Sequence, residues 1–73
     1  MAAKLIYWDH ARMRMRQRHI SEAEVKHVLS NPDVEYPGNV SGRRVYVGHP
    51  NGPYIKVVWV EGTDPIDVVT VAD

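Results

Sequence analysis

The sequence predicts an α+β domain, with two short N-terminal helices packed on one face of a small antiparallel sheet. Three observations predict it. Residues 10–30 combine strong helix formers with a helix-capping pattern. After Pro32 the chain changes to β-branched runs separated by Gly and Pro turns. The strands of the second half follow one another with short turns, which suits an antiparallel meander covered by the helices. With 73 residues the chain makes one domain, 1–73. Area scaling gives about 62% of the surface buried on folding at this size, so the core is thin. A dimer contact or a partner would then matter for stability.

Lys4-Leu5-Ile6-Tyr7-Trp8 is a β-branched and aromatic run and reads as a first strand, preceding the helices. Asp9 follows and is placed to cap a helix by accepting orphan backbone N–H groups. His10 to Arg18 is ambiguous by period, because arginines at 12, 14, 16 and 18 alternate as they would on one strand face. Propensity decides for helix, since Ala, Arg, Met and Gln form helices well and strands poorly. Ala11 and Met15 then share one stripe, which His19 extends if the helix reaches that far. Arg12 and Arg16 form a second stripe, and Arg14 and Arg18 a third.

Ser21-Glu22-Ala23-Glu24 is a capping box, with Ser21 at the cap and Glu24 three positions later. Ile20 before the cap and Val25 after it can form a hydrophobic staple. Val25, Val28 and Leu29 give an apolar stripe, and Pro32 stops the helix by forcing Asn31 toward extended geometry. Val34-Glu35-Tyr36 reads as a short strand ended by Pro37-Gly38, and Arg43 to Val47 as another. His49-Pro50-Asn51-Gly52-Pro53 is a turn. Tyr54 to Val60 alternates as the longest strand, Gly62 to Pro65 turns again, and Ile66 to Val71 closes the chain. Three consecutive strands with short turns make an antiparallel meander.

Composition narrows the function classes. Apolar residues at 44% and charged residues at 25% are ordinary for a folded protein and argue against disorder. The absence of cysteine excludes disulfide scaffolds, thiol catalysis and cysteine-bound metals. Val57 to Val60 is the longest apolar run, far short of a membrane span, and residues 1–4 lack a signal peptide's apolar stretch. The expectation is a cytoplasmic protein without membrane attachment. Net charge is zero but divided. Residues 1–30 carry six Lys/Arg and three Asp/Glu, giving +3, and residues 31–73 carry three and six, giving −3. Such a local basic patch suits phosphate or an acidic partner.

The row Arg12, Arg14, Arg16, Arg18, with His10 and His19 near its ends, is the leading site candidate. Guanidinium groups bind phosphate by two-point hydrogen bonds and stabilise developing negative charge. Histidine moves protons near neutral pH. Cleavage of RNA by its own 2′-hydroxyl needs a base, an acid and a cation, which this row could supply without metal or cofactor. The competing reading is a solvated helix face whose arginine stems cover apolar surface. Arg43 and Arg44 open a strand and point to opposite faces, so one of them could join the helix patch. Four histidines, His10, His19, His27 and His49, show no metal-ligand spacing, and no metal is expected. Trp8, Tyr46, Tyr54 and Trp59 are expected to pack in a core that lacks phenylalanine.

One pattern spans residues 6–71: His10-x-x-x-Arg14-Met15-x-x-Arg18-x-Ile20-Ser21, Glu24-Val25, Asn31-Pro32, Gly42-Arg43-x-Val45 and Val68-Val69-Thr70-Val71. It resembles a family of small bacterial proteins catalogued as a domain of unknown function. It is also similar to the BrnT group of toxins within the RelE-like ribonucleases. The resemblance implies a RelE-like fold, a toxin neutralised by an antitoxin protein, and metal-independent endoribonuclease activity. Carried over residue by residue, it implies catalytic roles for His10, Arg14 and Arg18. RNA or partner contacts fall to Arg12, Arg16, Arg43 and Arg44. The last strand departs from the BrnT pattern, because Asp67 and its neighbours stand where arginines are expected. Two further readings stand beside this one: a non-catalytic module that binds nucleic acid or an acidic partner through the arginine helix, and a homodimer joined through a strand edge.

Overall fold

The computed structural model describes residues 4–73; residues 1–3, part of the stretch read above as lacking a leader, lie outside the described residues. The chain forms β1 (Leu5–Tyr7), α1 (Asp9–Arg18), α2 (Glu22–Ser30), β2 (Val34–Pro37), β3 (Arg43–Gly48), β4 (Ile55–Val60) and β5 (Ile66–Ala72). The α+β expectation holds, and every predicted element is present within a residue or two of its expected bounds. The sheet differs in one respect. Its strand order is β1-β5-β4-β3-β2, and β1 pairs with β5 in parallel, so the five-stranded sheet is mixed rather than antiparallel. The two helices separate β1 from the later strands, so no hairpin dictates its direction.

The start of α1 also differs from expectation. Trp8, not Asp9, is the N-cap, and it makes no side-chain capping bond. The Trp8 N–H donates to the Val68 carbonyl at 3.0 Å while its own carbonyl accepts from Arg12 N–H at 3.0 Å. One residue thus ends the β1 ladder and begins the helix. Asp9 becomes the first helical residue, where its charge complements the helix dipole. The helix ends at Arg18, and His19 turns the corner in the left-handed region at φ 56°. His19 therefore does not extend the Ala11–Met15 stripe.

The capping box forms as expected. Glu24 N–H donates to Ser21 Oγ at 3.1 Å, and Ser21 N–H donates to Glu24 Oε1 at 2.9 Å. Asn51 Nδ2, in the turn between β3 and β4, donates to the other Glu24 oxygen at 2.9 Å. The Ser21 backbone bond and the Asn51 bond hold this carboxyl below its ordinary range. Because the folded value is the lower one, the stabilisation is full above the unfolded pKa and is lost as pH falls through the folded one. Replacing Ser21→Ala should cost about 1 kcal/mol, a fall of roughly 4–8 °C in melting temperature for a domain this small. A melt unchanged from wild type would refute the capping role.

Both helices cover one sheet face. Ala11 and Met15 from α1, Ile20 from the corner, and Val25 and Val28 from α2 meet Ile55, Val57, Val68 and Val71 from the sheet. Gly48 lies close under α2, and a Cβ there would lie 3.2 Å from Val28 Cγ2, tighter than ordinary contact. Tyr46 and Trp59 pack edge to face at 5.2 Å, as expected of the aromatics. Trp8 and Tyr54 do not, remaining 39% and 48% exposed. Strand β5 carries a bulge: Trp59 pairs with Val68 but Val58 pairs with Thr70, leaving Val69 as the extra residue. The bulge sends both Val68 and Val71 into the helix-covered core, which strict alternation from 68 to 71 would not do.

Candidate functional site

At about 3.6 residues per turn, burying Ala11 and Met15 fixes where every other α1 side chain can go. Arg12 and Arg16 flank the buried seam on the side of the corner and α2. His10, Arg14 and Arg18 run along the other side, one turn apart. Met13 and Gln17 face outward. Helix α1 packs mainly on β5 and starts where β1 ends, beside Val68. Its last arginine reaches the chain's final residue, Asp73, so the helix runs along the second half of β5, where β1 no longer pairs.

The six arginines do not act as one row. Arg12 Nη1 lies 3.3 Å from Glu22 Oε2, and its guanidinium sits 4.4 Å from the centre of the Tyr7 ring. Arg18 Nε lies 3.6 Å from Asp73 Oδ1, and Arg44 Nη2 lies 3.6 Å from Glu35 Oε1. Arg43 instead places its guanidinium 5.5 Å from the Trp8 ring. Among the described residues, Arg14, Arg16 and Arg43 make no ion pair. The exposed Arg12–Glu22 and Arg18–Asp73 pairs are each worth about 0–1 kcal/mol, so a phosphate can compete for them. The Tyr7 hydroxyl is buried without a hydrogen-bond partner. Burial first, then the Glu22 charge, raises its pKa, and Arg12 opposes them.

The Arg43-Arg44 pair divides as alternation requires. Arg44 and Glu35 point to the helix side, but β4 stands between β3 and β5, so Arg44 lies two strands, about 10 Å, from the strand under α1. Arg43 points to the opposite face, where its guanidinium meets Trp8, the N-cap of α1. His10 is exposed and forms no side-chain hydrogen bond with Asp9. His49 Nδ1 lies 2.7 Å from Asp33 Oδ2, which pins the β3–β4 turn to the start of β2. Among the described residues no three His, Asp or Glu side chains gather as a metal site. The carboxylates Glu22, Asp73 and Glu35 were invisible in the sequence as arginine partners, because ion pairs between distant elements leave no spacing signal.

A family model described as Domain of unknown function (DUF4258) matches residues 7–73. The chain belongs to this family. The DUF4258 match takes in both helices and all strands but β1, of which it includes only Tyr7. No curated protein and no solved structure matches the chain. The DUF4258 domain here has no helix long and apolar enough to cross a membrane among its described residues.

Proposed function

We propose that this protein is a cytoplasmic RelE-like toxin, related to BrnT, that engages RNA through the outer surface of α1 and is held in check by an antitoxin protein. The observation that carries the RNA contact is that Arg14 and Arg16 are free of carboxylates while Arg12 and Arg18 are tied to Glu22 and Asp73. The free pair flanks the exposed strip of Met13 and Gln17 on a rigid helix, as phosphate-gripping cations should. Arg12 and Arg18 supply further charge once their weak pairs open. Cleavage is assigned to His10, one turn from Arg14. In the second reading α1 holds its ligand without chemistry. The missing Asp9–His10 hydrogen bond favours that reading, because the ring then lacks an orienting partner.

Binding of a single-stranded RNA oligonucleotide, measured by fluorescence anisotropy across a salt series, tests the contact. Log affinity should fall linearly with log salt, and Arg14→Ala with Arg16→Ala should flatten the slope by roughly 1.4, or two phosphates. Binding indifferent to both salt and the double substitution would remove α1 from the proposal.

A further inference from the structure

The helices leave the opposite face of the sheet without a cover. The register runs a row directly across four strands on that face: Tyr36 opposite Val45, Val45 opposite Val58, Val58 opposite Thr70. Val45 and Val69 are only 5% and 8% exposed, yet neither belongs to the core under the helices. They form the floor of a second apolar surface. Its rim is open, for Ile6, Trp8, Val34, Tyr36 and Val40 are all exposed. A concavity of about 320 Å³ sinks into this face, lined among others by Tyr36, Val40, Arg43, Lys56, Val58 and Val69.

Two cations stand in this apolar surface. Arg43 and Lys56 are half-buried on β3 and β4, and among the described residues neither makes an ion pair. Asp67, opposite Ile6, is the acidic residue that alternation gives to this face. A second copy docked by a two-fold axis would bring two Arg43 and two Lys56 into the interface against two Asp67 carboxylates, leaving cations in excess. A nucleic acid would satisfy the charges and could stack on the rim aromatics, but its polar sugars and flat bases do not fill the aliphatic groove of Val40, Val58 and Val69. An occupant that satisfies both features carries apolar side chains flanked by carboxylates.

We infer that the uncovered sheet face is a docking surface for an acidic amphipathic segment of another protein. Its apolar side chains fill the groove over Val45, Val58 and Val69, and its carboxylates pair with Arg43 and Lys56. This surface lies across the sheet from α1, so it can be occupied while α1 carries RNA, and the inference stands whether or not α1 does so.

The test is a display selection of random peptides on the whole protein, followed by amide chemical-shift mapping with the enriched peptides. The expected peptides are net acidic and apolar, and they shift the amides of Val45, Val58 and Val69 while leaving α1 unmoved. Arg43→Glu with Lys56→Glu should weaken them roughly tenfold and favour copies with Lys in place of their acids. Val58→Lys should abolish binding; as a check on folding, the charge-reversed protein must keep the wild-type circular dichroism spectrum. Four outcomes overturn the inference: no enrichment, enriched peptides that are basic or map to α1, a dimer by light scattering that buries this face, or an RNA oligonucleotide that shifts these amides where peptides do not.

Discussion

Replacing Met15→Ala should destabilise the protein by about 2–5 kcal/mol, the range for truncating a buried long apolar side chain. Helix α1 has two buried residues, Ala11 and Met15, and alanine has little area to lose. Met15 is therefore the principal anchor of the helix on β5. A domain of 73 residues has a total stability of roughly 4–11 kcal/mol, so the loss consumes a large share of it. The melting temperature should fall by more than about 10 °C, and by clearly less for the volume-conserving Met15→Leu, which costs under about 1.5 kcal/mol. Amide exchange should show α1 losing protection before β4. If α1 binds RNA as proposed, that binding should weaken in parallel, since the arginines lose their fixed spacing. A Met15→Ala melt within two or three degrees of wild type would mean that α1 is held by its polar contacts instead.

What the sequence makes legible follows the range of each interaction. The Ser21–Glu24 box is local, so its spacing alone places the helix corner. The Ile55, Val57, Trp59 alternation places β4 for the same reason. Where pairing is long-range, the reading stops. Nothing near Leu5 to Tyr7 tells that its partner is Ile66 to Val68 or that the pairing is parallel. The bulge at Val69 is hidden because a run of valines fits either register. Asp9 is the better capping residue by preference, but the ladder bond from Trp8 to Val68 fixes the cap one residue earlier.

The candidate site divides along the same line. The stripes of α1 are periodic and were readable; the identities of the carboxylates that neutralise three of its arginine candidates were not. Arg12 finds Glu22 ten residues away across the corner, and Arg44 finds Glu35 on the neighbouring strand. The pairing leaves Arg14 and Arg16 to act on α1. Separating Arg43 from them, onto the other sheet face, turns one expected patch into two surfaces of different chemistry. A single chain of this size can then meet an anion on one side and an acidic, apolar partner on the other.

If the protein cleaves RNA, His10→Gln should lower the rate by roughly 10²–10⁴, the usual effect of removing a general acid or base. His10 is the histidine of α1 itself, exposed at its first turn, with Arg14 one turn further along the same side. His19 lies beyond the helix, in the left-handed corner. In such cleavage the 2′-oxygen loses its proton and attacks phosphorus. The 5′-oxygen leaves with a proton, and a 2′,3′-cyclic phosphate remains. The imidazole serves one of the proton transfers, and Arg14 offsets charge on the phosphorane oxygens. Gln keeps the polar bulk but cannot exchange a proton, so RNA affinity and its salt slope should stay near wild type while turnover falls. Arg14→Ala should lose both. Chelator should leave the rate unchanged, since the roles fall to imidazole and guanidinium. Wild-type turnover in His10→Gln would end the assignment of this residue. RNA left intact by the wild-type protein, with salt-dependent binding retained, would instead establish α1 as a binding surface without chemistry.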